Sequence, residues 1–155
     1  MNYIMRTYCT FIRRLGAFYR LENKCQFIYV YFLSGMIRLS ILIISFKYLR
    51  KYLGIPKKES SFEISEEGLE IAKQVRRLVL QVCYHTPWES KCLVQAILSA
   101  HLLKRKGMES TLYLGVSKNV EGDMQAHAWL RVGETIIMGG EIKNDFIEVA
   151  RFYKY

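Results

Sequence analysis

The chain has 155 residues, of which 51% are hydrophobic and 24% are charged, with two prolines and ten glycines. This composition fits one globular domain and excludes collagen-like and disordered chains. A chain of this length buries a sizeable core without disulfides or a structural metal. Its cysteines are irregularly spaced and follow no signal peptide, so we expect a cytoplasmic protein without a disulfide framework. The four are Cys9, Cys25, Cys83 and Cys92.

The net charge of +9 is unevenly distributed along the chain. Residues 1 to 58 hold 11 Lys and Arg and one acid, a net of +10, whereas residues 59 to 155 hold 12 Lys and Arg and 13 acids, a net of −1. This asymmetry indicates a basic docking segment, residues 1 to 58, joined to a nearly neutral domain, residues 59 to 155. We therefore expect no nucleic-acid partner; an electrostatic binder with steeply salt-dependent affinity is the alternative.

The docking segment contains a long apolar stretch. From residue 27 to 46, 15 of 20 residues are apolar, which is long enough to cross a bilayer as a helix. Arg38 lies near the centre, where a charge costs roughly 2.5–3.5 kcal/mol. We therefore favour two helices, broken near Ser34 and Gly35, that pack on the domain or on a partner. The basic flanks also allow peripheral contact with an anionic membrane, and a solvated helix face is the alternative.

The next residues predict a linker and then a helix. Pro56 and the polar residues 57 to 61 show no apolar period, which is typical of a linker. Ser65 is then placed to cap a helix whose first turn is acidic. One face of this helix is predicted to consist of Leu69, Ala72, Val75, Val79 and Cys83. Cys83 is therefore expected to be a small core residue.

Residues 86 to 93 hold two overlapping helix start signals, a capping box at Thr86 and a cap at Ser90. Either start puts Cys92 in the first turns of the helix. The helix is predicted to end where Gly107 follows three basic residues. Its buried face is predicted to consist of Leu93, Ala96, Ile97 and Ala100.

Beyond Gly107 the hydrophobic period changes from helical to two. We predict strands over residues 111 to 116, 125 to 132, 135 to 138 and 146 to 152, with a hairpin turn at Gly133 and Glu134. Helices followed by an antiparallel sheet form an α+β fold. The second strand is predicted to carry His127, Trp129 and Arg131 on one face and a row of alanine, leucine and valine on the other.

Cys92 and His127 together have the chemistry of a nucleophile and its base. A thiol attacks as the thiolate, which the start of a helix stabilises. An imidazole then holds the thiolate and later protonates the leaving amine. We expect the two residues to meet across a helix–sheet interface. His85 is a competitor, whereas His101 lies too far along the helix of Cys92 to face it.

Two other roles for these residues are alternatives. Cys92 and His127, each taken alone, are residues that cores commonly contain. A metal site made of Cys83, His85 and Cys92 lacks a common ligand spacing. We therefore expect no metal ion and no cofactor.

Three stretches carry a resemblance to a known family. They are TPWESKCLVQAILSAHLLKRKG at residues 86 to 107, LYLGVSKN at 112 to 119 and AHAWLRVG at 126 to 133. In this order and at these distances they resemble the leader peptidases of lasso-peptide biosynthesis. These transglutaminase-like cysteine proteases remove the leader from a ribosomally made precursor before a separate ATP-dependent cyclase closes the macrolactam. The resemblance covers most of the chain, is strongest from residue 64 to 140, and implies a papain-like domain with helices packed on an antiparallel sheet.

The resemblance also implies the roles of the site residues. Cys92 would be the nucleophile, with its backbone N–H in the oxyanion site, and His127 the general base and acid. Family members usually have an Asp twelve positions after the His, where this chain has Gly139. Glu141 is our preferred substitute for orienting the ring; Asp145, a backbone carbonyl or water are the alternatives. Trp88 and Trp129 are predicted to bind substrate, although Trp88 is equally suited to a core.

The implied partners are the precursor peptide, a separate leader-recognition protein and the lasso cyclase. Because the segment of residues 1 to 58 is apolar and basic, we expect no fused leader-recognition domain and assign that segment to partner docking. Two other functions are retained. One is a different cysteine-dependent acyl transfer, and the other is a non-catalytic peptide-binding module with the same fold.

Overall fold

The structure, a computed structural model, describes residues 24 to 155. Its elements in chain order are α1 (Lys24–Ile43), α2 (Phe46–Leu53), β1 (Ile55–Pro56), α3 (Glu66–His85), α4 (Cys92–Arg105), β2 (Ser110–Lys118), β3 (Met124–Val132), β4 (Thr135–Met138), a 3₁₀ turn (Lys143–Asp145) and β5 (Ile147–Lys154). The strands form one antiparallel sheet in the order β1-β5-β2-β3-β4. The predicted α+β fold is confirmed. Cys9 lies outside the described residues.

Helix α4 is the centre of the fold. It contacts β2, β3 and β4 as well as α1 and α3. Because neighbours cover it on several sides, its buried residues are not confined to one stripe. The predicted burial of Ala96 and Ala100 is confirmed, whereas Leu93 and Ile97 are only partly buried. The buried residues of α4 are Val94, Ala96, Leu98, Ser99, Ala100, Leu102 and Leu103.

The predicted helix break near Ser34 and Gly35 is wrong, because α1 runs through both residues to Ile43. The Ser34 hydroxyl donates to the Tyr31 carbonyl at 2.7 Å and is thus satisfied within the helix. Gly35 makes room for the Trp88 ring, since a Cβ there would lie 2.9 Å from Trp88 Cζ2. Tertiary packing therefore overrides the low helix propensity of this pair.

The predicted start of α3 and the predicted end of α4 are both confirmed. The Ser65 cap is confirmed, because its Oγ accepts a hydrogen bond from the Gly68 amide at 3.1 Å. At the end of α4 the amides of Gly107 and Met108 bond to the carbonyls two and three residues inside the helix end, which is a Schellman cap. Gly107 has a φ of +70°, as this cap requires.

The predicted capping box at Thr86 and the predicted cap at Ser90 are wrong. Lys91 is the N-cap of α4, and it makes no side-chain capping bond. The Thr86 hydroxyl is used instead within the connecting turn, 2.9 Å from the Cys83 carbonyl and 2.9 Å from the Ser90 hydroxyl. Cys92, predicted to lie in the first turns of the helix, is its first residue.

The four strands and the hairpin turn at Gly133 are confirmed to within a few residues, but β1 was missed and the predicted linker is packed on the sheet. β1 has two residues and pairs with β5, too short to show a period. The Ser60 side chain is buried against that of Thr111, 2.9 Å from its hydroxyl. Glu59 accepts hydrogen bonds from Tyr113 and Arg151. The division of the chain at residue 58 stays a prediction.

Candidate active site

Cys92 begins α4 at the edge of the core. Its side chain is partly buried and packs against the core cluster. The first amides of a helix have no partner within the helix. Because Lys91 supplies no side-chain cap, the N–H groups of this first turn are not occupied by a capping oxygen. The position combines a thiol with backbone donors that stabilise negative charge.

Cys83, the nearest competitor in sequence, has a different environment. Burial is the main cause that raises the pKa of the Cys83 thiol to about 11, and a hydrogen bond with Ser90 opposes the rise only in part. A thiol with this pKa is almost fully protonated at neutral pH and is therefore inert as a nucleophile. The prediction that Cys83 is a core residue agrees with its partial burial against the cluster.

His127 lies on β3, and its ring is held by a backbone carbonyl. Its Nε2 is 2.8 Å from the carbonyl oxygen of Gly139. A carbonyl oxygen only accepts hydrogen bonds, so Nε2 carries the hydrogen and Nδ1 keeps a lone pair. The ring is thus fixed in the tautomer whose Nδ1 is able to take a proton.

Gly139 is at the position where the resembled family usually has an Asp, and the backbone there requires glycine. Its φ is +70°. A Cβ at this residue would lie 2.4 Å from the Ala128 carbonyl oxygen and 3.2 Å from His127 Nε2. Any side chain would therefore collide with the strand that carries the histidine. The main chain of Gly139 occupies the space next to the ring and contributes the acceptor itself.

Glu141, the preferred orienting residue in the sequence, forms its hydrogen bond with Arg76 and none with His127. Its carboxylate accepts a hydrogen bond from Arg76 of α3 at 3.0 Å, and its side chain is 68% exposed. Asp145, the other acidic alternative, is exposed in the 3₁₀ turn. The backbone carbonyl is thus the alternative that the structure supports.

Aromatic rings surround the imidazole. The Trp129 ring stacks between Tyr113, with centroids 5.6 Å apart, and His127, with centroids 6.1 Å apart. Phe146 lies 5.0 Å from the imidazole, centroid to centroid. Gly115, which pairs with His127 across β2 and β3, leaves space for these rings, since a Cβ there would lie 2.7 Å from Trp129. Neither Phe146 nor Gly115 was predicted as a site residue.

The two tryptophans predicted to bind substrate are both engaged in packing. Trp129 is buried beside the histidine. Trp88 is partly buried against α1, where its Nε1 donates to the Ser34 hydroxyl at 3.2 Å and its ring lies 5.0 Å from that of Tyr31. Trp88 thereby ties α1 to the turn that precedes Cys92. Substrate contact by either ring stays a prediction.

The elements that carry Cys92 and His127 are in contact. In the described part of the chain, however, the Cys92 and His127 side chains form no hydrogen bond with each other. Helix α4 packs on β3. On β3 the residues that join the helical core are Ala128, Leu130 and Val132, whereas His127 alternates with them and stacks beside Trp129. By strand alternation the His127 side chain is directed to the face of β3 opposite these three residues. The expected meeting of Cys92 and His127 across the helix–sheet interface stays a prediction.

Comparison with known proteins identifies the family. A sequence model described as the Transglutaminase-like superfamily matches residues 37–151. The chain belongs to the transglutaminase-like superfamily. Members are typically cysteine-dependent enzymes of the protease or acyltransferase type. Searches of curated proteins and of solved structures find no match.

The match of this transglutaminase-like chain extends from α1 to β5 and includes both Cys92 and His127. It also includes residues 37 to 58 of the basic segment. No group of three or more His, Cys, Asp or Glu side chains in the described part of the chain is arranged to hold a metal ion.

Proposed function

We propose that this transglutaminase-like protein is a cysteine peptidase that removes the leader from a ribosomally synthesised lasso-peptide precursor. The observation that carries the proposal is a cysteine at the start of α4 combined with an oriented histidine on β3, within sequence stretches that resemble the leader peptidases. Membership of the transglutaminase-like superfamily supports cysteine-dependent acyl chemistry. The leader and the lasso precursor as substrates rest on the resemblance alone.

In the proposed first step, Cys92 Sγ attacks the carbonyl carbon of the scissile peptide bond while the thiol proton passes to His127 Nδ1. The imidazolium then protonates the leaving nitrogen, so the C–N bond breaks. The core peptide leaves with a free amine, and the leader remains on Cys92 as a thioester. Water deprotonated by His127 hydrolyses the thioester, which releases the leader as a carboxylate and restores the thiol.

The start of α4 contributes the oxyanion site in this scheme. Attack on the carbonyl places negative charge on its oxygen, and preorganised N–H donors stabilise that charge. The Cys92 amide belongs to the uncapped first turn. We assign it as one donor.

Gly139 has a defined part in the scheme. Its carbonyl fixes the tautomer and the direction of the His127 ring. A neutral carbonyl stabilises an imidazolium less than a carboxylate does, so we expect a slower enzyme than one with an Asp, although one with the same chemistry. Catalytic hydrogen bonds are often long until substrate binds, and the scheme requires Sγ and Nδ1 to come into contact in the substrate complex.

The proposed partners are the precursor peptide, a separate protein that recognises the leader, and the cyclase that uses the freed amine. The test combines the full chain with a leader–core precursor and its recognition protein, and follows the masses of the products. Wild type should release leader and core, whereas Cys92→Ala should leave the precursor intact. Cys83→Ala is the matched control and should cleave like wild type. If wild type binds the precursor and the recognition protein but leaves the precursor uncleaved, the proposal is contradicted.

The same reaction separates the two other functions. An added primary amine that becomes attached to the leader without hydrolysis would indicate an acyl transferase. Tight binding of the precursor with no change in its mass would indicate a non-catalytic module, which the missing carboxylate at Gly139 favours. Hydrolysis at the leader–core junction supports the peptidase over both.

A further inference from the structure

One side of α1 is exposed and almost purely apolar. Phe32, Met36 and Ile43 are 65%, 67% and 72% exposed. Helix α1 is long and apolar enough to cross a membrane by length and composition, with a mean hydropathy of 1.6, yet only 17% of that stretch is buried. Soluble proteins rarely expose a continuous apolar surface of this kind. Besides Tyr29, whose hydroxyl contacts His101, its large exposed side chains are Ile28, Phe32, Met36, Leu39, Leu42 and Ile43.

The charge within α1 that argues against a helix crossing the bilayer is paired with another part of the protein. Arg38 is the one charged residue between Lys24 and Lys47, and its guanidinium donates to the Glu89 carboxylate at 2.6 Å. Ser40, a polar residue of the same helix, donates its hydroxyl to the Met36 carbonyl at 2.8 Å. The exposed side of α1 therefore offers apolar side chains and very few polar groups.

Helix α2 continues this surface with positive charge. It buries Leu49 and Leu53 and exposes Lys47, Arg50 and Lys51. Aromatic side chains lie among these cations, at Phe46, Tyr48 and Tyr52. Residues 24 to 58 hold seven Lys and Arg and no Asp or Glu. A cluster of positive charges beside an apolar helix face is typical of proteins that lie on anionic membranes.

We propose that the apolar side of α1 and the basic side of α2 bind the surface of a bilayer that contains anionic lipids. Together they are called the α1–α2 surface, made of the six apolar residues of α1 named above and of Lys47, Arg50 and Lys51. The apolar side chains enter the boundary between headgroups and acyl chains, and the cations contact lipid phosphates. A lipid fits better than a protein partner, because protein interfaces need about one hydrogen bond per 100–200 Å² and α1 offers few donors or acceptors.

Contacts along the inner side of α1 favour a helix that lies in the interface over one that spans the bilayer. Val30 and Ser34 are fully buried in the protein. Ser34 receives the Trp88 hydrogen bond, and the Tyr29 hydroxyl is 3.0 Å from His101 Nε2. A spanning orientation would break these contacts, whereas an interfacial one retains them all.

The test is flotation of the full chain with vesicles of phosphatidylcholine alone and of equal parts phosphatidylcholine and phosphatidylglycerol. We expect binding to the anionic vesicles that weakens as salt rises. Phe32→Ser with Met36→Ser should abolish it, and Lys47→Gln with Lys51→Gln should weaken it by more than tenfold, since each cation contributes roughly fivefold.

Matched controls are available elsewhere on the chain. Lys106→Gln with Lys118→Gln removes the same charge, and Val120→Ser with Ile147→Ser removes exposed apolar side chains outside the surface. Both pairs should float like wild type, and circular dichroism should show that every variant is folded. Three outcomes would overturn the proposal. The first is that wild type does not float with anionic vesicles at low salt, and the second is that the Phe32→Ser, Met36→Ser variant floats as well as wild type. The third is that wild type forms a dimer and binds no vesicles, while the same variant is a monomer.

Discussion

The imidazole of His127 is hydrogen-bonded through Nε2 to the main-chain carbonyl of Gly139, over 2.8 Å. Gly139 thus contributes an acceptor at the position where a carboxylate side chain would be expected. The contact leaves Nδ1 as the basic nitrogen of the ring. It depends on a backbone conformation, φ of +70°, that glycine adopts without strain.

Restoring the expected carboxylate at Gly139 should damage the protein. Gly139→Asp would introduce a Cβ 2.4 Å from the Ala128 carbonyl as well as a strained φ. Backbone strain of this kind alone costs about 1–3 kcal/mol. Because the collision adds to it, we expect Gly139→Asp and Gly139→Ala each to lower the free energy of unfolding by more than that amount. Urea denaturation measures this change.

Gly107 provides the control for that experiment. It has the same φ of +70°, and a Cβ there would meet nothing within 4 Å. Gly107→Ala should therefore cost only the conformational strain, on the order of 1 kcal/mol. Equal losses for Gly107→Ala and Gly139→Ala would show that the space beside His127 is not restricted.

Glu141→Gln should leave the site intact. The carboxylate is exposed and paired with Arg76, and exposed ion pairs contribute about 0–1 kcal/mol. We expect the rate of Cys92 alkylation to stay within about twofold of wild type. A loss as large as that of His127→Ala would restore Glu141 as the orienting residue and contradict the role given to Gly139.

Arg131 should be among the most costly residues to replace. Its buried guanidinium donates to the Tyr113 hydroxyl at 2.9 Å, the Ser60 carbonyl at 3.0 Å and the Gly133 carbonyl at 2.5 Å. Arg131→Met leaves these acceptors without their donor, so we expect a loss of about 3–5 kcal/mol in the free energy of unfolding. Arg76→Met, at an exposed ion pair, should cost less than about 1 kcal/mol.

Similar losses for the Arg131 and Arg76 variants would contradict the account of the packed segment around Ser60. Limited proteolysis is a second measurement. Cleavage between residues 57 and 62 should accelerate in Arg131→Met, because the segment loses its attachment to the sheet.

His101 should make stability fall in mild acid. Burial is the main cause that lowers the pKa of His101 below its usual 6.5, and the charges of Lys154, Arg105 and Lys104 add to it. As the pH drops below 6.5, His101 therefore binds a proton in the unfolded chain before it does so in the folded chain. The free energy of unfolding falls over this range. His101→Gln should reduce the loss between pH 7.5 and pH 5, measured by thermal unfolding; an unchanged loss would contradict this assignment.

Local patterns predicted most of the fold. The acidic first turn of α3, the Gly107 cap of α4 and the two-residue period of β2 and β3 depend on neighbours in sequence, and all appear in the structure. The continuity of α1 was not predictable, because Gly35 is explained by a ring 53 positions away, that of Trp88. The capping box at Thr86 failed for a different reason, since its hydroxyl bonds to near neighbours in the connecting turn, Cys83 and Ser90, and not to the amides of α4.

The site was predicted in its residues more than in its contacts. The start signals at Thr86 and Ser90 put Cys92 in the first turns of a helix, although neither residue is the cap, and the period of two put His127 on a strand. Both signals are local. The partner of His127 could not be identified from residue type, since every residue has a carbonyl. The one signal in the sequence was Gly139 itself, since glycine is favoured where the backbone is left-handed or lies very close to another group.

The most direct test of the central claim, that Cys92 and His127 act as a pair, is the rate of alkylation of each cysteine by iodoacetamide at pH 7, resolved by peptide mass mapping. Cys25 is exposed and serves as the reference thiol, whereas Cys83 is partly buried and its pKa is raised to about 11. We predict that Cys92 reacts at least about tenfold faster than Cys25, and that His127→Ala removes this advantage while the Cys25 rate stays unchanged. An identical Cys92 rate in wild type and in His127→Ala would contradict the account.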